Sequence, residues 1–248
     1  MRKVWLLIAL TVPAAAQTPS LKELVVEALR NNPEIITAQK RYEAARQRPS
    51  QESALPDPMF SLSYNSAGSP RPFAGIGVEP TANAGLMFTQ EFPWPGKRKL
   101  KGRMAEREAE AEFQQYQAAQ LSVQARLKAA WYRLAYAYAA TDVLTRNRDL
   151  LNKLARVTGV RYEAGKAAQQ DVLKAQTQVA ILETQLVKLG QERASREAEI
   201  DALLNRRPGT PVPRPGESNE TPSLPPLEDL YATARENSPM LAREQKMI

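Results

Sequence analysis

With no histidine and no cysteine among its 248 residues, this chain has few side chains suited to covalent chemistry. Imidazole acid–base catalysis, thiol nucleophiles, disulfides and zinc sites of the Cys/His kind are excluded by composition. The acidic residues lie scattered at solvating spacings, without a nucleophile–base pair or a phosphate-binding glycine loop, so an enzyme is the class the residues support least. What remains is the chemistry of recognition and passage, and three stretches carry it. In the first, Arg161-Tyr162-Glu-Ala-Gly165 and Asp171-Val172-Leu173 put charge, an aromatic ring and aliphatic side chains around one short bend. In the second, Ser61, Ser63 and Asn65 alternate with Phe60, Leu62 and Tyr64, and Thr89 and Glu91 with Leu86, Phe88 and Phe92. The third, Lys97-Arg98-Lys99-Leu100-Lys101, is the longest basic cluster and the one candidate for a polyanion contact. The formal charge is +7, spread through charged helix faces, which suits a solvated rod better than a nucleic-acid patch.

The bend implies long helices on either side of it. From Lys97 to Leu204 the sequence predicts a helical hairpin. Phe113, Tyr116, Gln120, Val123, Leu127, Trp131, Leu134 and Tyr138 space the rising arm by threes and fours. Val172, Ala175, Val179, Leu182, Leu186, Leu189, Arg193, Arg196, Ile200 and Leu203 do so on the returning arm. An alternating three–four repeat winds helices around each other instead of burying one face in a globule. No proline interrupts either arm, and a rising arm of roughly sixty residues would extend about 90 Å. Gly165 suits the left-handed position that ends a helix. Asp171 is placed to accept backbone N–H bonds where the next helix begins. These residues cap a hairpin tip; whether the tip is also a docking surface, spacing alone leaves open. Arg193 and Arg196 are awkward at seam positions, and a tunnel or an equatorial band of packing is an alternative place for them.

The rest follows in chain order. Residues 1–16 have a basic start, a short apolar run and Ala14-Ala-Ala16, the pattern of a cleaved signal peptide of an exported protein, with a short N-terminal anchor as the plainer reading. That run is too short for an ordinary transmembrane helix. Ser20 and Glu23 form a capping box that opens helices over 20–48, broken at Asn31-Asn-Pro33 and stopped at Pro49. Strands are expected over 59–66 and 84–92, on either side of a Gly/Pro/Ser-rich loop. Their period-two alternation fits transmembrane barrel strands, apolar side to lipid and polar side to lumen. A soluble hairpin packed on a helix fits the same local pattern. A proline-rich connector fills 205–226. From Leu227 the beginning is restated: with a shift of 206, Leu21, Leu24, Ala28, Asn31, Pro33, Gln39 and Lys40 recur as Leu227, Leu230, Ala234, Asn237, Pro239, Gln245 and Lys246. Duplication at this period means that a whole unit is used twice. Residues 17–226 are then a first repeat and 227–248 the start of a second, truncated in mid-helix, so a longer chain is expected.

This combination of signal peptide, Asn-Asn-Pro start, strand pair, long hairpin and tandem repeat resembles the outer-membrane efflux proteins, the TolC-like family. The stretch Tyr162-x-x-Gly165-x-x-x-x-x-Asp171-Val-Leu-x-Ala-Gln176 is similar to the family's first periplasmic tip. Pro56-Asp-Pro58 and Gln90-Glu-Phe-Pro-Trp-Pro-Gly-Lys97 look like the subgroup serving heavy-metal exporters. The resemblance implies a mainly α fold with a β-barrel contribution, in a homotrimeric duct from the outer membrane into the periplasm. Each full subunit would supply four strands to one barrel in outer-membrane lipid. Arg161, Tyr162, Gly165, Asp171, Val172 and Leu173 would meet the hairpin tip of a periplasmic adaptor, and an inner-membrane pump would supply the energy. Ser61, Ser63, Asn65, Thr89 and Glu91 would face a wet lumen, and Phe60, Leu62, Tyr64, Leu86, Phe88 and Phe92 would face lipid. No cofactor, metal site or nucleic-acid partner is implied. The strands and tip of a second copy, with the usual second-tip gate, are not in this sequence, nor is the lipidated cysteine of some subgroups. Lys97–Lys101 puts positive charge at a helix start, against the macrodipole; inner-leaflet lipid phosphates would offset that, while a merely solvated cluster is the plainer reading. A periplasmic adaptor would need Gly- and Val-rich lipoyl-like and barrel modules beside its hairpin, and a cytosolic rod would need no signal peptide. The sequence therefore predicts an outer-membrane channel subunit of a tripartite efflux system, for heavy-metal ions ahead of drugs.

Overall fold

The computed structural model describes residues 20–66, 82–216 and 224–247, together with Phe73, Ile76, Gly77 and Pro80; the expected signal peptide and most of the inter-strand loop lie outside them. The described chain is mainly helical, with one two-stranded sheet. Contacts divide it into two compact units. One contains the described residues up to Ile36 and those from Ala119 to Pro226; the other contains Thr37 to Ala118 and the residues from Leu227 onward.

In the first unit α1 (Leu21–Asn31) opens with the capping box: Glu23 N–H donates to Ser20 Oγ at 3.4 Å, and Ser20 N–H to Glu23 Oε2 at 3.0 Å. It stops where Asn32 turns the chain into α2 (Pro33–Ala45), which begins on the proline whose missing N–H a first turn does not need. The Asn32 side chain accepts from the N–H of Glu34 at 2.9 Å and of Ile35 at 3.3 Å, and donates to the carbonyl of Leu203 at 2.9 Å. That last bond fastens the end of α5 (Gln169–Leu203) to the α1–α2 corner. Leu24, Ala28, Ile35, Val123, Leu127, Leu134, Ala137, Ile200 and Leu204 are sealed from water around it. Here α4 (Lys97–Glu163), 67 residues without a break, shows its buried stripe at Val123, Leu127, Ala130, Trp131, Leu134 and Ala137. Farther along the hairpin the seam positions Val172, Ala175, Val179, Leu182, Leu186 and Leu189 are only half-buried, because one facing helix covers one side.

The second unit is knit more thinly. Among its described residues the buried side chains are Ala38, Ala45, Ala105, Ala109 and Ala111, and the Tyr42 and Phe113 rings lie 5.1 Å apart. Pro49 does not simply stop the helical run: it sits in the first turn of a short helix, α3 (Arg48–Ser53), where its ring is tolerated. Gly102 on α4 faces α3 so closely that a Cβ would lie 3.2 Å from that of Ser53. The strands β1 (Met59–Asn65) and β2 (Asn83–Thr89) pair antiparallel. Two helices, α6 (Leu227–Asn237) and α7 (Pro239–Met247), follow the connector. Like α1, α6 has 11 residues, and like α2, α7 begins on a proline. Ser238 stands where the first copy has Asn32, and its Oγ accepts from Leu241 N–H at 3.4 Å.

Candidate functional site

The hairpin tip is built by two helix ends. At Gly165, φ is +69°, a conformation that any side chain would strain. Around it Gly165 N–H donates to Tyr162 O at 2.8 Å and Lys166 N–H to Arg161 O at 2.7 Å, the paired bonds that close a helix C-terminus on a left-handed glycine. The second end differs from the expectation. The residue before α5 is Ala168, and no side chain caps the helix. Asp171 is the third residue inside α5; its own N–H donates to Ala168 O at 3.0 Å. Its carboxylate contributes favourable charge in the first turn rather than a cap bond, because the helix begins two residues earlier than the aspartate. Arg161, Tyr162, Gly165, Asp171 and Leu173 are exposed and Val172 is half-buried. The six residues thus gather at one bend; below it, between the two arms, lies a polar groove lined by Asn152, Arg156, Gly159, Val172 and Gln176, of which only Val172 is one of the six.

The strand pair sorts its side chains by face. Its register sets Phe60, Leu62 and Tyr64 opposite Phe88, Leu86 and Ala84, so one face is apolar throughout. The other pairs Ser61 with Met87, Ser63 with Gly85, Asn65 with Asn83 and Met59 with Thr89. Phe60 and Leu86 are each 70% exposed and Phe88 is 67% exposed. Gly85 lets Ser63 lie close: a Cβ there would fall 2.9 Å from Ser63 Oγ and turn that hydroxyl aside. Asn83 joins this face by register, and Met87 stands on it as alternation with Thr89 predicts. Glu91 and Phe92 do not belong to the sheet. β2 ends at Thr89 because its partner Met59 follows Pro58, and prolines at 56, 58, 93 and 95 withhold the N–H groups a longer ladder needs. Gln90 closes the gap instead, donating through Nε2 to Pro56 O at 2.8 Å.

Arg193 and Arg196, read as misfits in a seam, find partners on their own chain. The Arg193 guanidinium lies 5.4 Å from the centre of the Tyr138 ring and 3.7 Å from Glu197. Arg196 donates to Glu199 at 2.7 Å. Arg214 of the connector covers Tyr138 as well, at 5.0 Å, and pairs with Asp142. The Tyr138 hydroxyl donates to Glu197 Oε1 at 3.1 Å; burial, then that bond, push its phenol above the ordinary range, so it remains a donor at physiological pH. Neighbouring Arg206 grips Glu27 with two bonds of 2.7 and 2.6 Å. The Glu27 contact raises the arginine's already high pKa. Among the described residues no His, Cys, Asp and Glu are grouped so as to hold a metal ion, and no helix is long and apolar enough to cross a membrane.

The family model for outer membrane efflux proteins matches residues 24–206. Comparison with curated proteins gives no match. Among solved structures the fold is similar to the outer-membrane channel OprN, with a TM-score of 0.72 and 21% identity over 92% of this chain and 52% of that one. It is similar to CusC, described in terms of folding and transmembrane channel formation, at 0.70 and 16% over 92% and 53%. It is also similar to the outer membrane protein VceC of Vibrio cholerae, at 0.62 and 20% over 92% and 58%. The chain therefore spans about half the length of the channels whose fold it shares.

Proposed function

Because the chain belongs to the outer membrane efflux protein family and so has its place at the outer membrane, we propose that it is a channel subunit of a tripartite efflux system. Three copies would surround one passive, non-catalytic duct, each full subunit giving four strands to the barrel. The observation carrying this reading is the β1–β2 pair, with an uncovered, continuously apolar face backed by one of Ser, Asn, Thr and Gly among which Met59 and Met87 stand. A soluble hairpin would hide Phe60, Leu62, Leu86 and Phe88 under a helix; here they stand exposed, as lipid-facing residues of a barrel must before bilayer and neighbours close around them. Ser61, Ser63, Asn65 and Thr89 then face the lumen, with Asn83 beside them. Arg161, Tyr162, Gly165, Asp171, Val172 and Leu173 form the docking tip for a periplasmic adaptor, which joins the duct to an inner-membrane pump. Heavy-metal ions are the cargo proposed ahead of drugs, on the likeness of Pro56–Pro58 and Gln90–Lys97 to that subgroup; a duct need not bind what it passes.

A chain without cysteine makes the test clean. Single variants Phe60→Cys, Ser61→Cys, Leu62→Cys and Ser63→Cys are expressed in a Gram-negative cell and treated with a membrane-impermeant thiol reagent. Labelling at 61 and 63 with protection at 60 and 62 is expected. Equal labelling of all four overturns the barrel reading.

A further inference from the structure

We propose that the segment joining β2 to α4 docks on a layer of anionic phospholipid headgroups, its basic side chains binding the phosphates. The inference rests on the membrane reading of the strands given above. Beyond Thr89 the chain presents Phe92, 75% exposed, and Trp94, 85% exposed, and then the start of α4. There Lys97, Arg98, Lys99, Lys101 and Arg103 are exposed, with no acidic residue between Glu91 and Glu106. Among the described residues none of these five has a side-chain hydrogen bond or ion pair, although cations elsewhere find acids readily: Lys40 with Glu43, Arg107 with Glu110, Arg206 with Glu27.

Three features converge on a lipid surface rather than on water. The order along the chain is apolar strand face, exposed aromatics, cations, which repeats the depth order of a bilayer: hydrocarbon, interface, phosphate. Leu100 and Met104, at 60% and 65% exposure, lie one helical turn apart, and Lys97 and Lys101 flank them on the same face. That arrangement lets the lysine stems lie along acyl chains while the ammonium groups reach up to phosphate. Finally, the first turn of α4 has no acid, and its cations oppose the positive end of the helix dipole. Anions held between them relieve both the mutual repulsion and the dipole. An apolar partner would leave the charge uncompensated, and bulk water would leave Trp94, Leu100 and Met104 exposed.

The test uses the full chain in phosphatidylcholine vesicles doped with dibrominated phosphatidylglycerol or, separately, dibrominated phosphatidylcholine. The readout is the quenching that is lost in Trp94→Phe, and embedding is scored by resistance to carbonate extraction. The expected result is a preference of about tenfold for the anionic quencher, in line with several basic side chains at an anionic surface. A variant joining Lys97→Gln, Arg98→Gln, Lys99→Gln and Lys101→Gln should fall to parity while remaining helical and carbonate-resistant. Parity in the unaltered chain, or an undiminished preference in the variant, overturns the proposal and leaves the barrel reading standing. A chain that carbonate extracts and neither lipid quenches removes the membrane reading, and the proposal with it.

Discussion

At the scale of the residue, Asn32 joins what would otherwise be two separate events. Its carbonyl oxygen accepts from the N–H groups opening α2, and its amide reaches the carbonyl ending α5, all nearly out of reach of water. Asn32→Ala removes a helix cap and leaves Leu203 O unpaired in the interior, a loss of about 2–3 kcal/mol. Asn32→Asp keeps the cap but turns the donor into an acceptor facing a carbonyl, so it should destabilise at least as much. Chemical unfolding of the detergent-solubilised chain followed by helical circular dichroism checks both; an aspartate variant as stable as the parent would show that the link to α5 is worthless. Half of this role was legible in the sequence. Asn-Asn-Pro announces a break between helices because proline tolerates a first turn and asparagine caps it. The bond to Leu203 crosses 171 residues, and no local spacing encodes it. The grip of Arg206 on Glu27 was hidden for the same reason. Arg193 and Arg196 were visible as misfits in a heptad, but the ring of Tyr138 that accommodates Arg193 lies on another helix.

At the scale of the element, legibility follows period and length. The hairpin was plain because its three–four repeat runs unbroken through α4 and α5, and the strand faces because alternation has a period of two. Ends were harder. β2 stops at Thr89 on account of prolines in its partner's approach, and α5 starts before Asp171 on account of backbone geometry alone. Gly165 was correctly placed, since a turn needing positive φ selects glycine. Its replacement separates backbone from contact. A Cβ at Gly165 would meet nothing within 4 Å, so Gly165→Ala should cost only the left-handed strain, about 1 kcal/mol. The effect should be confined to the tip: faster amide exchange over 160–168, an unchanged core around Leu127 and Leu134, and weaker capture of the proposed periplasmic adaptor in detergent. Exchange unchanged at the tip would mean that another conformation closes the bend.

At the scale of the whole molecule, the two units rest on different forces, and pH should tell them apart. The unit holding Leu24, Leu127, Leu134, Ile200 and Leu204 rests chiefly on aliphatic burial, which does not titrate, with the Arg206–Glu27 pair and the Asp201 carboxylate added to it. In the other unit α7 buries none of its side chains, and Met240 and Leu241 stay exposed. An ion pair links α7 to α4, Lys246 bonding Glu110 at 2.9 Å, with Arg107 at the same distance on the same carboxylate. The bond from Lys246, then that from Arg107, hold the Glu110 carboxyl below its usual range. A depressed carboxylate pKa means that the folded state binds fewer protons than the unfolded one. The contribution is therefore present above the ordinary carboxylate range and is lost as pH falls through the lowered value. Because the groups are solvated, added salt should weaken the same tie at neutral pH. Amide exchange should accordingly quicken in α7 on acidification, before any change in α1 or in the Leu127–Leu134 stretch of α4. Glu110→Gln should set α7 exchanging fast at every pH and abolish its acid dependence. If α7 in that variant still loosens only below the carboxylate range, some other acid holds it, and the thin core of this unit would need a second source of order.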